Sequence, residues 1–125
     1  MQAFQKLRVW QAARALALLV HRATRSFPSA ERFGLTAQVR RSAASIMANI
    51  AEASACRHSR EFARILNIAE REAAETTCHV ILAGDLGYLP SDTVTDLAER
   101  IDHVRRMLAR LQERLAVARS PERTT

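Results

Sequence analysis

Apolar residues recur along this chain at spacings of three and four, the period of helices; no long run of alternating β-branched and polar residues competes. Val9, Leu16, Val20, Ala23 and Phe27, flanked by Ala12, Ala13 and Leu19, share one face of a first helix. Arg8, Gln11, Arg14, Arg22 and Arg25 take the opposite arc, and Leu7 and Leu18 fall inside it. Pro28 closes this helix, because the residue before proline is pushed out of the α region.

In the second helix Leu35, Val39, Ala43, Ile46, Ile50 and Ala53 make a core seam. Beside it Ala37, Ala44, Ala48 and Ala51 form a flank of small residues that lets another helix come close. Gln38, Arg41, Ser42, Ser45, Asn49 and Glu52 fall on the polar arc, and Arg40 projects from the alanine flank beside Met47. Ser59 can cap a third helix. Its seam is Phe62, Ile65, Leu66, Ala69, Ala73, Thr76, Val80 and Ala83. Near its end Ile81, Leu82 and Leu86 point elsewhere, so that half is apolar on most sides and needs a second burial partner. Gly87 stops it.

Ser91 or Asp92 caps the last helix, whose Leu97, Ile101, Val104, Leu108, Leu111 and Leu115 follow a heptad. Asp96–Arg100, Glu99–His103 and Asp102–Arg106 are acid-first pairs four apart, the stabilising order on a solvated face. Four helices over about residues 5–27, 35–56, 60–86 and 92–118, with a frayed tail at 119–125, predict one all-α domain over 1–125. Short connections make it an antiparallel up-down-up-down four-helix bundle. Leu18, the alanine flank and the apolar end of the third helix exceed what one bundle hides, which predicts a homo-oligomer.

Composition agrees: 125 residues suffice for one real core and not comfortably for two, and three glycines with three prolines leave long helices uninterrupted. No apolar run approaches the roughly 20 residues of a membrane span, and His21 and Arg22 cut short the "ALALLV" stretch that could pass for a signal segment. A cytoplasmic protein without membrane contact is expected. If the third helix starts near Ser59, Cys78 lies about 28 Å along it, too far from Cys56 for a disulfide or a shared metal. No metal and no cofactor are expected.

Charge changes the picture more. Residues 1–60 hold Lys6 and nine arginines against Glu31 and Glu52, a balance of +8, whereas residues 61–125 come to −2. A basic half suits a polyanion such as RNA or DNA, or an acidic protein surface. Eighteen arginines to one lysine also fits a coding bias, and arginine is a good helix former.

The segments "FQKLRVWQAARALA", "ERFGLTAQVRRSAASIMANIAE", "SREFARILNIAEREAAET" and "AGDLGYL" together resemble the bacterial four helix bundle proteins. These are also called intervening-sequence proteins, after insertions in large-subunit ribosomal RNA genes. The likeness covers roughly residues 4–89. It implies a four-helix subunit in a ring, usually a homopentamer, and no catalytic residues. Distant relatives among accessory proteins of diversity-generating retroelements bind nucleic acid and a reverse transcriptase. By position Trp10 matches the family's "VWQ", Phe33 to Thr36 its "RxGLT", and Gln38, Arg40 and Arg41 its "QLRR". Asn49 to Glu52 match "NIAE", Arg57 the arginine after it, Glu61 and Phe62 "EF", and Glu75 an acid on the third helix. Met47 stands where the family has proline, so a kink is absent. Ala53 and Ala55 replace glycines, which moves the turn later, toward Arg57 and His58.

Three functions are compatible. The first is a non-enzymatic protein holding phosphate backbones through Arg8, Arg14, Arg22, Arg25, Arg40, Arg41 and Arg57, repeated around the ring. Against this stand solvation or salt bridges between subunits, with Arg40 and Arg41 pairing to a neighbour's Glu52 or Glu75. The second is a protein-interaction scaffold, or accessory subunit of a nucleic-acid enzyme. The third and remotest is a ribonuclease using Arg14 and His21, seven apart on one face.

Overall fold

The computed structural model describes residues 3–119. A short α1 (Ala3–Lys6) precedes four long helices: α2 (Arg8–Ala23), α3 (Leu35–Ser54), α4 (Ser59–Asp85) and α5 (Ser91–Arg119). Two 3-10 turns, Thr24–Ser26 and Ser29–Glu31, join α2 to α3, and no strand occurs among the described residues. The long helices pack in a closed order, α2 on α3, α3 on α4, α4 on α5 and α5 back on α2. They enclose one core in a helical bundle.

Most residues of the seams expected from periodicity form the core, while Ala23, Phe62, Leu111 and Leu115 are only partly buried against it. Leu16, Ile46, Ile50, Leu66, Ile101 and Leu108 are almost fully buried, each contributing about 1.5–3 kcal/mol over an exposed position. Small residues of the same seams, Ala13, Ala43, Ala53, Ala69 and Ala73, are buried too and keep the helices close.

Boundaries depart from expectation for local reasons. The α2 helix ends at Ala23, four residues before Phe27, because Thr24 Oγ1 bonds back to the Val20 and His21 carbonyls and the chain tightens into a 3-10 turn. Phe27 is extended before Pro28, as the proline requires. The α3 helix runs unbroken through Met47 and stops at Ser54. Ala55 stays right-handed, with the Ala55 and Cys56 amides bonding to Glu52 and Ala53. Among the described residues no non-glycine residue has positive φ, so this end needs no left-handed cap. Residues 55–58 form the connection, and His58, not Ser59, takes the cap position of α4.

At the other end of α4 Gly87 has φ +81, the left-handed region open to glycine. Its amide bonds to Gly84 O and the Tyr88 amide to Ala83 O, a Schellman closure. Two of the three acid-first pairs on α5 form, Asp96–Arg100 and Asp102–Arg106; Glu99–His103 is not among the ion pairs of the described residues. Arg119 closes α5, and residues 120–125 of the expected tail lie outside the described residues.

Candidate nucleic-acid interface

The α2 helix carries no acid, so its arginines have no neutralising partner on their own helix; Asp96 and Glu99 of α5 share a groove with Ala12 and Ala15. Arg8, Arg14 and Arg22 are exposed and Arg25 follows on the 3-10 turn. None of the four is in an ion pair among the described residues. At about 100° per residue these arginines spread over roughly 120° of the helix surface, opposite Val9, Leu16 and Val20. Arg8 and Arg22 stand about 21 Å apart along α2, at 1.5 Å per residue. Leu18, 44% exposed, occupies the middle of this cationic arc.

The two adjacent arginines of α3 diverge. Arg40 does not reach out from the alanine flank. Its Nε donates to Thr24 Oγ1 at 2.7 Å and its Nη2 to the His21 carbonyl at 3.3 Å. A cation there complements the negative end of α2 and satisfies a last-turn carbonyl. It also brings Arg40 beside the turn that carries Arg22 and Arg25.

Arg41 turns the other way, onto α4. It contacts Glu72 at 3.5 Å and bonds Glu75 of its own chain. Glu75 also bonds His79 at 3.1 Å. The His79 hydrogen bond, and then the nearby Arg41 charge, hold the Glu75 carboxyl below its ordinary 4.5 against the opposing effect of burial. Arg41 is thus already matched within the subunit. Arg57 is exposed on the 55–58 connection and is unpaired among the described residues. The structure gathers Arg22, Arg25 and Arg40 at one end of α2, sets Arg8 and Arg14 further along, turns Arg41 onto α4 and leaves Arg57 on the 55–58 connection.

Ser42 belongs to the core, not to the polar arc. It is completely buried, with Thr76 Oγ1 2.8 Å from its Oγ. Thr76 falls in the seam of its own helix, but the contact that joins it to Ser42 could not be read from α3 alone, where Ser42 falls on the polar arc.

Exposed apolar residues accompany the cations. Ile81, Leu82 and Leu86 are each nearly half exposed on the last turns of α4 and the residue after it. Ala37, Ala44 and Ala48 leave an open small-residue face on α3. Leu7, by contrast, is half-buried against the core. Phe33 was missed by periodicity because it lies between elements. It is 85% exposed, with the Arg32 guanidinium 5.2 Å from its ring centre.

Cys56 and Cys78 are free thiols, and no three His, Cys, Asp or Glu side chains meet at a metal-binding distance among the described residues. Arg14 and His21 are both exposed on α2. Among the described residues no helix is long and apolar enough to cross a membrane.

Comparison with known proteins follows the same lines. The family model described as 23S rRNA-intervening sequence protein matches residues 5–110. A crystal structure of a protein of unknown function from the S23 ribosomal protein family of Bacteroides thetaiotaomicron superposes with a TM-score of 0.75 at 23% identity. The match covers 83% of this chain and 97% of that one, a likeness of fold. No curated protein matches the chain.

Proposed function

The chain belongs to the 23S rRNA-intervening sequence protein family, and from that premise we propose a non-enzymatic, oligomeric protein that holds RNA or DNA by its phosphates. The observation that carries this reading is the acid-free outer arc of α2, where Arg8, Arg14, Arg22 and Arg25 are exposed and unpaired among the described residues. Arg40 adds charge at the end of this arc and Arg57 an exposed charge on the 55–58 connection; Arg41 contributes little, since Glu72 and Glu75 already occupy it.

The subunit in this reading is an antiparallel up-down-up-down bundle. Gly84 beside Val94 and Gln112 beside the Ala63 carbonyl support opposed directions for α4 and α5. Copies associate through the exposed Phe33, Ile81, Leu82 and Leu86, away from the arginine arc, into a closed ring, for which the family resemblance suggests five members. A cytoplasmic ring repeats the arginine arc in every subunit, so weak phosphate contacts add.

Salt titration of binding to a labelled duplex tests the reading. The logarithmic slope should be about −0.9 per phosphate contact, and replacing Arg14, Arg22 and Arg25 by alanine should lower its magnitude by up to about 3. Affinity that ignores salt would end the proposal. The exposed Phe33 and the α4 apolar end favour a second reading, a scaffold for a protein partner such as a nucleic-acid enzyme. Capture of that protein after nuclease treatment would select it.

A further inference from the structure

A groove of ≈690 Å³ opens between the start of α2 and the last third of α5. Its existence follows from two local features. Leu7 is extended, with φ −71 and ψ 129, and breaks the chain between α1 and α2. On the facing side the heptad seam of α5 outruns its cover: Leu108 is buried, whereas Met107 and Leu111 are only half-buried.

Leu7, Val9, Met107 and Leu111 give the groove an aliphatic floor. Lys6, Arg8, Arg110 and Arg114 stand around it with a single acid, Glu113. None of these four cations is in an ion pair among the described residues. Positions 107, 110, 111 and 114 recur at three and four, so apolar and cationic groups run side by side along α5. The start of α2 has no acidic residue in its first turn and no side-chain cap, which adds the positive end of a helix dipole.

We propose that this groove docks an acidic, aliphatic peptide segment of a different protein. One or two of its apolar side chains lie on the floor while its carboxylates meet Lys6, Arg8, Arg110 and Arg114, an amphipathic element seated in a groove. Charge complementarity and the floor together select this occupant. Nucleic acid would match the cations but not the floor, which has no aromatic ring on which a base could stack. The apolar end of α4 from a second copy would match the floor but brings only Asp85 beside Leu82 and Leu86 against four cations. Only Arg8 is shared with the phosphate-binding arc. That arc is tested at Arg14, Arg22 and Arg25, so either proposal can fail while the other stands.

The experiment uses the full chain and a labelled, helix-forming peptide with leucines four apart among glutamates, read by anisotropy and by fluorescence of Trp10, the single tryptophan. The peptide should bind, and Arg110→Glu with Arg114→Glu should weaken it by about tenfold or more. Both positions are exposed, so helix content and melting should not change. A peptide with serine for leucine, and another with lysine for glutamate, should each bind far more weakly. Equal binding of the serine peptide would overturn the proposal, as would unchanged affinity of the double variant. So would displacement of the peptide by oligouridylate, or a change in assembly mass caused by the double variant without peptide, which would identify a second copy as the occupant.

Discussion

The Tyr88 hydroxyl donates to Glu31 Oε2 at 2.9 Å across 57 residues of chain. The other carboxylate oxygen, Oε1, accepts from the Leu35 amide at 3.1 Å. One acid therefore caps the start of α3 and ties it to the turn after α4, where the Tyr88 ring also tilts against Phe27 at 5.3 Å. Gly34 permits this: a Cβ there would stand 2.9 Å from Glu31 Oε1.

Glu31→Ala removes the cap and should cost about 1 kcal/mol in chemical denaturation. Tyr88→Phe keeps the cap and should lower Tm less. The hydrogen bond to Glu31, then burial and the Glu31 charge, raise the Tyr88 pKa above 10.0. A raised folded-state pKa means that this stabilisation is complete below 10.0 and is lost as pH climbs through the raised value. The wild-type protein should lose stability more steeply than Tyr88→Phe above that pH.

Glu75 works at the acid end. Its lowered pKa stabilises the fold above the ordinary 4.5, and that contribution disappears as pH falls through the lower folded-state value. Glu75→Gln should flatten the stability profile below about 4.5, measured by denaturation across pH. Arg41→Ala should change neutral stability by under about 1 kcal/mol, since that guanidinium is more than half exposed.

Ser42 and Thr76 join α3 to α4 inside the core. Each hydroxyl also reaches a carbonyl of its own helix, Val39 at 3.2 Å and Glu72 at 2.8 Å, so removing one leaves the other partly satisfied. A double-mutant cycle with Ser42→Ala and Thr76→Val should give a coupling of about 1 kcal/mol. Zero coupling would mean that the pair contributes nothing beyond its two local bonds.

Gly84 lies against Val94, where an added Cβ would come within 2.7 Å of Val94 Cγ2. Gly84→Ala should therefore destabilise by about 1–3 kcal/mol through overpacking. In a Val94→Ala background the same change should stabilise by up to about 1 kcal/mol, the helix preference of alanine over glycine. A destabilisation that persists in both backgrounds would reject this contact as the cause.

Association can be weighed directly. Light scattering of the proposed ring should give a multiple of the 14.0 kDa chain, and Ile81→Glu with Leu82→Glu should shift it toward a single chain. A wild-type mass equal to one chain would reject the ring.

The helices could be read in the residues because their cause is local. Periods of three and four placed Leu97, Ile101, Val104 and Leu108 in the core, and all four are buried. Gly87 marked the end of α4 through its own backbone preference, whereas α2 stopped at Ala23, short of the end that Pro28 predicted. The exposed Leu18, Ile81, Leu82 and Leu86 were legible as well, since each falls off its seam. Phe33 was not, because a residue between elements has no period to break.

The fate of the charges belonged to the tertiary structure. Arg40 and Arg41 are neighbours in sequence, yet one closes the end of α2 and the other pairs with α4. Ser42 is buried against α4, where Thr76 meets it from 34 residues away. Backbone hydrogen bonds within a few residues set where a side chain points on its helix. What it meets depends on which other helix comes alongside, and only the packed bundle decides which cations stay available for a partner.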